Sequence, residues 1–429
     1  MLTLEPALRR RARRECAGRP CKLGIALAGG GPLGAFYELG ALHALSEAIV
    51  GRALTAFDVY VGVSSGSFVA AALANGFDTT EMGAMLIRDE TTFAASPGMF
   101  LQPALSGYLQ RIGQLPRALG SIARQYARAP LQSAWPAAVR SLMGMLPTAL
   151  FDNKPIESYL RMLFRSDHHT DDFRKLPARL YVVATNLDTG ESVAFGDRAH
   201  ERVPISRAVA ASTALPGLYA PVEIGGKHFV DGALIRTMHA SLALEAGCDL
   251  VLCINPLVPF DASRAPRRRR RLAEEGLDTI LSQTFRALIH SRMNVGMASY
   301  RARFPRADTI LLQPDRNDEQ LFFTNVFRYA GRHHVADHAY QSTRCDLLAQ
   351  ASGLSAVLEA HGLHLNERLL RDRRRSFSTA AFERTERVRH TGRRLDSALQ
   401  RLESLLAVGA RRTRHMPARR RPPRLAAAR

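Results

Sequence analysis

The pattern of apolar and polar positions predicts two strand-turn-helix units near the start of the chain. Residues 22–28 form a short apolar run that ends in a glycine cluster, and apolar residues then recur at helical spacing over 33–50. Residues 57–61 form a second apolar run, 62–66 a turn of small residues, and 67–75 an alanine-rich helix. Two such units in succession indicate a parallel sheet with crossover helices.

The same alternation resumes later in the chain. Strand-like apolar runs lie at 179–186, 192–195, 227–230, 250–254 and 309–312. The stretch from about 79 to 150 carries scattered proline and glycine and a methionine-rich apolar content, so we expect a helical insertion that caps the sheet. The predicted fold class is therefore α/β, with a mostly parallel central sheet flanked by helices and assembled from both sides of this insertion.

Both ends of the chain are rich in arginine. Leucines recur at helical spacing over 366–406 among many arginines, which predicts an amphipathic helix, whereas 409–429 has the composition of a disordered tail. A solvated helix face, attachment to a membrane surface and a coiled coil all fit this helix. We expect a basic N-terminal arm over 1–20, a main α/β domain over 21–330, a basic helical extension over 331–408 and the tail.

The net charge and the cysteines indicate which partners and which cellular compartment to expect for the protein. A formal net charge of +20 favours polyanions such as phospholipid headgroups or nucleic acid, although arginine-heavy usage also fits a coding bias. Five cysteines without paired metal-ligand spacing argue against a disulfide framework and predict a reducing compartment. There is neither the apolar core of a secretory signal nor an apolar stretch long enough to span a bilayer. We expect a cytoplasmic location, with peripheral contact at the inner membrane surface.

The second predicted turn carries the first candidate for chemistry. Gly62-Val63-Ser64-Ser65-Gly66 matches Gly-x-Ser-x-Gly between a strand and a helix, the context in which this motif presents a nucleophilic serine. Gly62 and Gly66 are the structural glycines of such an elbow, because they let neighbouring segments pass closely. Ser64 occupies the central position and is the predicted nucleophile. Ser65 and Ser67 are rival nucleophiles whose alternative role is capping the helix.

The first predicted turn, Gly29-Gly30-Gly31-Pro32-Leu33-Gly34, admits three interpretations. Consecutive backbone N–H groups there could form an anion-binding nest or half of an oxyanion hole, or the glycines could serve close helix packing alone. The same residues also match the Gly-x-Gly-x-x-Gly dinucleotide fingerprint. A dinucleotide site needs an acidic residue at the end of the next strand, and here that strand ends in the serine elbow, with Asp58 at its start.

Asp231 is the candidate base. It follows a short strand and precedes a helix that we expect to begin near Leu234, a position where an aspartate is often only a cap. Within hydrogen-bond reach of Ser64, its carboxylate could accept the serine proton if burial raised its basicity. The histidines offer alternatives for a triad or a metal site, but His228 lies within a strand pattern, and His333, His334 and His338 lie on a predicted helix.

Taken in order, the glycine-rich turn, the serine elbow and Asp231-Gly232-Ala233 resemble the motifs of the patatin-like phospholipases. Further stretches agree with that family, namely 28–35, 184–190 and 208–217, so that the resemblance covers roughly 22–260. The chain departs from the common family pattern at two positions. Leu33 stands where many members have arginine or lysine, and Ala233 replaces the second glycine of Asp-Gly-Gly.

The resemblance implies a sandwich of helices around a mostly parallel sheet and a Ser64–Asp231 dyad that needs no metal or other cofactor. It also implies an oxyanion hole from Gly29, Gly30 and Gly31, to which the Ser65 N–H could add a donor. We therefore expect a serine acyl hydrolase of phospholipids or other acyl-ester lipids that meets anionic membrane surfaces and no specific nucleic acid. The alternatives are a lipid- or granule-associated binding protein with a vestigial hydrolase site and a basic nucleic-acid-binding protein, which salt-dependent DNA binding would reveal.

Overall fold

The structure, a computed structural model, describes residues 1–5, 20–88, 102–103, 149–166, 168–264, 271–324 and 331–379. Three central strands, Leu23–Leu27, Val59–Val63 and Leu250–Ile254, are buried at every position. A parallel strand covered by helices on both faces needs apolar residues throughout rather than at alternate positions. This requirement explains the uninterrupted apolar runs in the sequence.

The described strands follow one another along the chain with helices between them. They are β1 (Leu2–Glu5), β2 (Leu23–Leu27), β3 (Ile49–Val50), β4 (Val59–Val63), β5 (Ala149–Phe151), β6 (Arg179–Asn186), β7 (Ser192–Phe195), β8 (Gly217–Tyr219), β9 (Val222–Ile224), β10 (Lys227–Asp231), β11 (Leu250–Ile254), β12 (Asp308–Leu312) and β13 (His364–Leu365).

The described helices vary from one turn to more than seven. They are α1 (Gly31–Ala48), α2 (Ser65–Ala74), α3 (Thr79–Gly83), α4 (Lys154–Phe164), α5 (Ile205–Ser212), α6 (Ala240–Glu245), α7 (Leu277–Arg303), α8 (Glu319–Phe323), α9 (Arg332–Ala349), α10 (Ala351–Ala360) and α11 (Glu367–Leu370). Short 3₁₀ segments occur at Leu54–Ala56, Phe173–Lys175, Gly232–Leu234, Ala262–Arg264 and Leu272–Glu274, and a π-helical turn at Ala84–Arg88. None of these described helices is both long and apolar enough to cross a bilayer.

The main sheet confirms the predicted fold class. Within the described residues it has nine strands in the order β1-β12-β11-β2-β4-β6-β10-β9, with β7 also paired to β6. The pairs from β12 through β11, β2 and β4 to β6 are parallel, and the strands on either side are antiparallel. Strands from before and after the predicted insertion thus share one mostly parallel sheet, with helices between them.

Two local predictions were wrong or incomplete. The helix expected from Leu234 does not begin there, because Gly232–Leu234 is a 3₁₀ turn and α6 begins at Ala240. The sequence analysis did not anticipate β1, which pairs antiparallel with β12 and adds an edge strand to the sheet.

Several predictions fall outside the described residues. Most of the insertion does so, since only α3, the π-helical turn, residues 102–103 and the start of β5 are described between 79 and 150. The arginines of the N-terminal arm and the tail lie outside as well. The helix predicted over 366–406 is described only as far as residue 379, and that part is not continuous, because α11 ends at Leu370 and non-helical residues follow over 371–376.

By compactness the chain divides into Met1–Ser378 and Thr379–Arg429. Within the first unit α9 packs along α1, where Gly40 lies so close to α9 that a Cβ atom would fall 2.1 Å from the Ala336 carbonyl oxygen. The domain boundaries drawn from the sequence stay predictions.

Candidate active site

Ser64 lies in the tight turn between β4 and α2. Its backbone has φ 51° and ψ −126°, a conformation that L-residues rarely adopt. A Cβ atom on Gly62 would lie 2.4 Å from the Ser67 Cα, and one on Gly66 would lie 2.7 Å from the carbonyl oxygens of Leu27 and Ala28. Gly62 and Gly66 are therefore required because no Cβ atom fits at either position, and Ser64 adopts the strained backbone conformation between them.

The register of β6 brings Asp231 to Ser64. Val63, the last residue of β4, pairs with Val183, and Asp231, the last residue of β10, pairs with Ala184, the next residue on β6. The ends of β4 and β10 consequently lie level with one another on either side of β6. The Ser64 hydroxyl donates a hydrogen bond to Asp231 Oδ2 at 2.6 Å, and the Ala233 N–H donates to Oδ1 at 2.8 Å.

The Asp231 carboxyl is almost completely buried, at 2% exposure. Burial raises its pKa to about 6, and the hydrogen bonds from Ser64 and from the Ala233 N–H partly offset this rise. A carboxylate with a raised pKa is a stronger proton acceptor than an exposed one, and it is still largely ionised at neutral pH. The pair can therefore pass a proton from the serine hydroxyl to the carboxylate.

Ser212, at the end of α5, holds the elbow through hydrogen bonds of its hydroxyl group. Its hydroxyl accepts a hydrogen bond from the Ser64 N–H at 2.9 Å and donates one to the Val183 carbonyl at 2.6 Å. The hydroxyl thus links the strained turn to β6 through two buried hydrogen bonds. The sequence analysis assigned Ser212 no role, although it lies in the stretch 208–217 that contributed to the family resemblance.

The predicted oxyanion-hole glycines differ in the hydrogen bonds that they make. The Gly29 N–H donates to the Thr237 carbonyl at 3.1 Å, and the Gly30 N–H donates to the Ser65 hydroxyl at 2.9 Å. The N–H groups of Gly31 and Ser65 have no hydrogen-bond partner among the described residues. They are the first residues of α1 and α2, so each points from a helix N-terminus, where negative charge is stabilised.

An apolar cavity adjoins the Ser64–Asp231 pair and the glycine loop. It encloses ≈ 980 Å³ of empty space, part of it open to solvent. Most of its lining is apolar, including Phe36, Phe68, Leu86, Ile156, Leu218 and Phe285. Such a lining suits a hydrocarbon chain, with Ser64 and Asp231 among the few polar groups that a ligand would meet. The sequence analysis did not identify these lining residues, because they come from segments far apart in the chain.

The histidines considered from the sequence do not join this site in the described part of the chain. His228 is exposed on β10, and His338 bonds Asp318 at 2.6 Å. His239 is buried, and desolvation lowers its pKa to about 4. Across the described ranges, no group of three or more His, Cys, Asp or Glu side chains is arranged to hold a metal ion. Cys248, Cys253 and Cys345 are free thiols.

Comparison with known proteins places this site in a family context. The family model for patatin-like phospholipase matches residues 25–244, which include Ser64, Asp231 and the glycine loop. An uncharacterized NTE family protein of Mycobacterium bovis is 27% identical over 242 residues, 56% of this chain and 31% of that protein. The chain thus spans about a third of the length of this relative.

Two solved structures are similar at low sequence identity. VipD from Legionella pneumophila is 13% identical with a TM-score of 0.29, over 88% of this chain and 85% of that one. Human GIVD cytosolic phospholipase A2 is 12% identical with a TM-score of 0.32, over 80% of this chain and 63% of that one. Similarity at this level carries no statement about activity.

Proposed function

The chain belongs to the patatin-like phospholipase family, and from this premise we propose that it is a serine acyl hydrolase of lipids that uses Ser64 as nucleophile and Asp231 as base. The observation that carries the proposal is the 2.6 Å hydrogen bond from the Ser64 hydroxyl to the buried Asp231 carboxylate, beside an apolar cavity. A serine in a strained elbow with a basic partner is the arrangement that nucleophilic acyl transfer requires.

The proposed reaction has two halves. Ser64 Oγ attacks the ester carbonyl carbon while its proton passes to Asp231, and collapse of the tetrahedral intermediate expels the alcohol, which takes that proton back. A water molecule then attacks the acyl-enzyme and gives its proton to Asp231. Collapse of this second intermediate releases the fatty acid and returns the proton to Ser64.

The oxyanion of each intermediate needs backbone donors. Of the candidates Gly29, Gly30, Gly31 and Ser65, the N–H groups of Gly31 and Ser65 have no partner among the described residues and are the ones ready to donate. Gly30 could join them only if the Ser65 hydroxyl released its N–H, and Gly29 only if its bond to Thr237 broke. We propose Gly31 and Ser65 as the principal donors.

The proposed substrates are phospholipids, lysophospholipids or other acyl-ester lipids, because the cavity beside Ser64 is lined mostly by hydrocarbon. We propose that the enzyme works in the cytoplasm against the inner membrane surface, where a net charge of +20 favours anionic lipid over zwitterionic lipid. The proposed catalytic domain spans 21–330, with 331–408 as a basic helical extension. The proposed chemistry involves no cofactor and no specific nucleic acid.

The test compares the wild type with Ser64→Ala and Asp231→Asn on medium-chain p-nitrophenyl esters and on mixed phospholipid vesicles. Both changes should lower kcat by roughly 10³-fold or more, because each removes one member of the proton-transfer pair. Ser67→Ala is the matched control. Its hydroxyl donates to the Ser64 carbonyl rather than to a carboxylate, so activity should stay within tenfold of wild type.

Circular dichroism and thermal unfolding establish that each variant folds. Activity retained in folded Ser64→Ala would overturn the mechanism. A wild type inactive on every ester and every vesicle would overturn the proposed function and favour the lipid-binding alternative.

A further inference from the structure

The long helix α7 exposes an apolar stripe that no other described element covers. Leu277, Leu281, Leu288 and Val295 are 70%, 59%, 59% and 71% exposed. Their spacing of four and seven residues places them on one side of the helix. The opposite side packs into the protein through the buried residues Ile289, Met293, Met297 and Tyr300. The helix therefore has two apolar sides, of which one packs against the other described residues.

The stripe borders the cavity that holds Ser64. Phe285 lines that cavity, and it lies one helical turn from both Leu281 and Leu288. The exposed apolar surface is thus continuous along the helix with the apolar wall of the proposed active site. From Leu277 to Val295 the stripe extends over about 27 Å.

Basic residues outnumber acidic ones on α7, whose single acidic residue, Asp278, lies in its first turn. No acidic residue occurs from Thr279 to Arg303, whereas Arg292, Arg301 and Arg303 lie on its exposed surface. Arg301 and Arg303 pair with Glu5 and Glu245, which neutralises part of this charge. A helix with one acidic residue and several arginines beside an apolar stripe is suited to an anionic lipid surface.

Resting on the proposed function, we propose that the α7 stripe, formed by Leu277, Leu281, Leu288 and Val295, is the surface by which the enzyme docks on a bilayer containing anionic phospholipid. Docking would bury the stripe among lipid headgroups and acyl chains and would bring the mouth of the cavity to the membrane. A lipid chain could then enter along Phe285 with little exposure to water.

A second copy of the chain is a less suitable occupant. Thr284 and Ser291 interrupt the stripe at two positions where a helix-to-helix seam would need apolar residues. Two copies that each carry a net charge of +20 would also repel one another, whereas anionic lipid attracts both.

The test measures binding of the full chain to vesicles in a Ser64→Ala background, so that no hydrolysis alters the lipid. Leu281→Gln/Leu288→Gln should bind phosphatidylcholine–phosphatidylglycerol vesicles at least about tenfold more weakly than its parent, because two apolar contacts are lost. Glutamine keeps the helix, since its helix propensity is close to that of leucine. The control Val50→Gln/Leu187→Gln changes two apolar residues elsewhere that are at least half exposed, and it should bind as the parent does.

A second measurement separates this proposal from the proposed function. With Ser64 intact, Leu281→Gln/Leu288→Gln should hydrolyse a short soluble p-nitrophenyl ester at the wild-type rate and lose activity on vesicles. If the wild type is inactive on all esters but its binding depends on the stripe, the proposed function fails and the docking surface stands. Less than a tenfold loss of binding would overturn the docking proposal. So would unchanged binding accompanied by a smaller species in size-exclusion chromatography, which would assign the stripe to a second copy.

Discussion

The two strand-to-helix turns of the site, residues 28–31 and 62–66, look alike in sequence but place their backbone strain differently. In both turns a residue with positive φ stands at the start of the following helix or directly before it. In the glycine loop this residue is Gly31, the first of α1, at φ 63°, whereas in the elbow it is Ser64, the residue before α2, at φ 51°. Glycine holds such a conformation without steric cost, and serine does not. The chain thus carries a strained non-glycine residue where a side chain must face Asp231.

The hydrogen bonds of the two turns also differ. In the glycine loop, two N–H groups are used, by the Thr237 carbonyl and by the Ser65 hydroxyl. In the elbow, the Ser64 N–H is used by Ser212. Among the described residues, the N–H group left without a partner in each turn is the first of the following helix, from Gly31 in α1 and from Ser65 in α2. The site is therefore built from one free donor in each turn, and the glycine count alone overstates the number of available donors.

The strained elbow presents the Ser64 hydroxyl to Asp231, which can accept the proton only while its carboxyl is ionised. The pH dependence of activity is therefore the strongest test of the difference between the two turns. Burial raises the pKa of Asp231 to about 6, so the proton acceptor is lost as the pH falls below that value. We expect kcat/KM on a soluble ester to be level above about pH 7 and to fall roughly tenfold per pH unit below about pH 6. A profile that stays level down to pH 4 would show that Asp231 is not the base.

The same shift has the opposite sign for stability. Between the ordinary value of 3.8 and about 6, the folded state holds a proton on Asp231 that the unfolded chain has released. The free energy of unfolding should therefore fall as the pH rises through this window. Asp231→Asn should remove this contribution and be the more stable protein near pH 7. Urea unfolding of the wild type and of Asp231→Asn, at the lower end of this pH window and near pH 7, measures the difference. Equal pH dependence in both proteins would contradict the assigned shift.

Substitutions at the two positions with positive φ, Ser64 and Gly31, should change the free energy of unfolding in opposite directions. Ser64→Gly should be more stable than Ser64→Ala by about 1 kcal/mol, because both lose the hydroxyl but only glycine relieves the backbone. Gly31→Ala should be less stable than wild type by about the same amount, because alanine meets the cost that glycine avoids. Chemical denaturation measures both differences. If Ser64→Gly were the less stable of the two Ser64 variants, the elbow would not be strained.

Sequence patterns predicted the parts of the fold that local chemistry determines. The apolar runs of β2, β4 and β11 and the turns after the first two follow directly from residue type and spacing. Residues 2–5 were not recognised as a strand, because four residues at a sheet edge carry almost no periodic signal. The start of α6 was misplaced because Ala233 and Leu234 suit a helix locally, whereas Asp231 and Gly232 turn the chain against β6.

Sequence motifs predicted the residues of the site, but they did not predict the strand pairing and the hydrogen bonds that bring these residues together. Nothing in the sequence indicates that Val63 and Asp231 pair with consecutive residues of β6, since strand register depends on the whole sheet. The roles of Ser212 and Thr237 as hydrogen-bond partners were missed for the same reason. The Ser65 hydroxyl was weighed as a rival nucleophile or a cap, and its contact with Gly30 joins the two turns instead.

That contact gives the smallest predicted effect. If Gly31 and Ser65 are the oxyanion donors, the Ser65 hydroxyl acts only by holding the Gly30 N–H and thereby positioning the loop. Ser65→Ala should then lower kcat by about twofold to tenfold with KM unchanged, the kinetic equivalent of one hydrogen bond. The measurement is steady-state kinetics of Ser65→Ala and of the wild type on a soluble ester. An increase in kcat would contradict this assignment, because it would mean that the hydroxyl withholds a Gly30 N–H that the transition state uses.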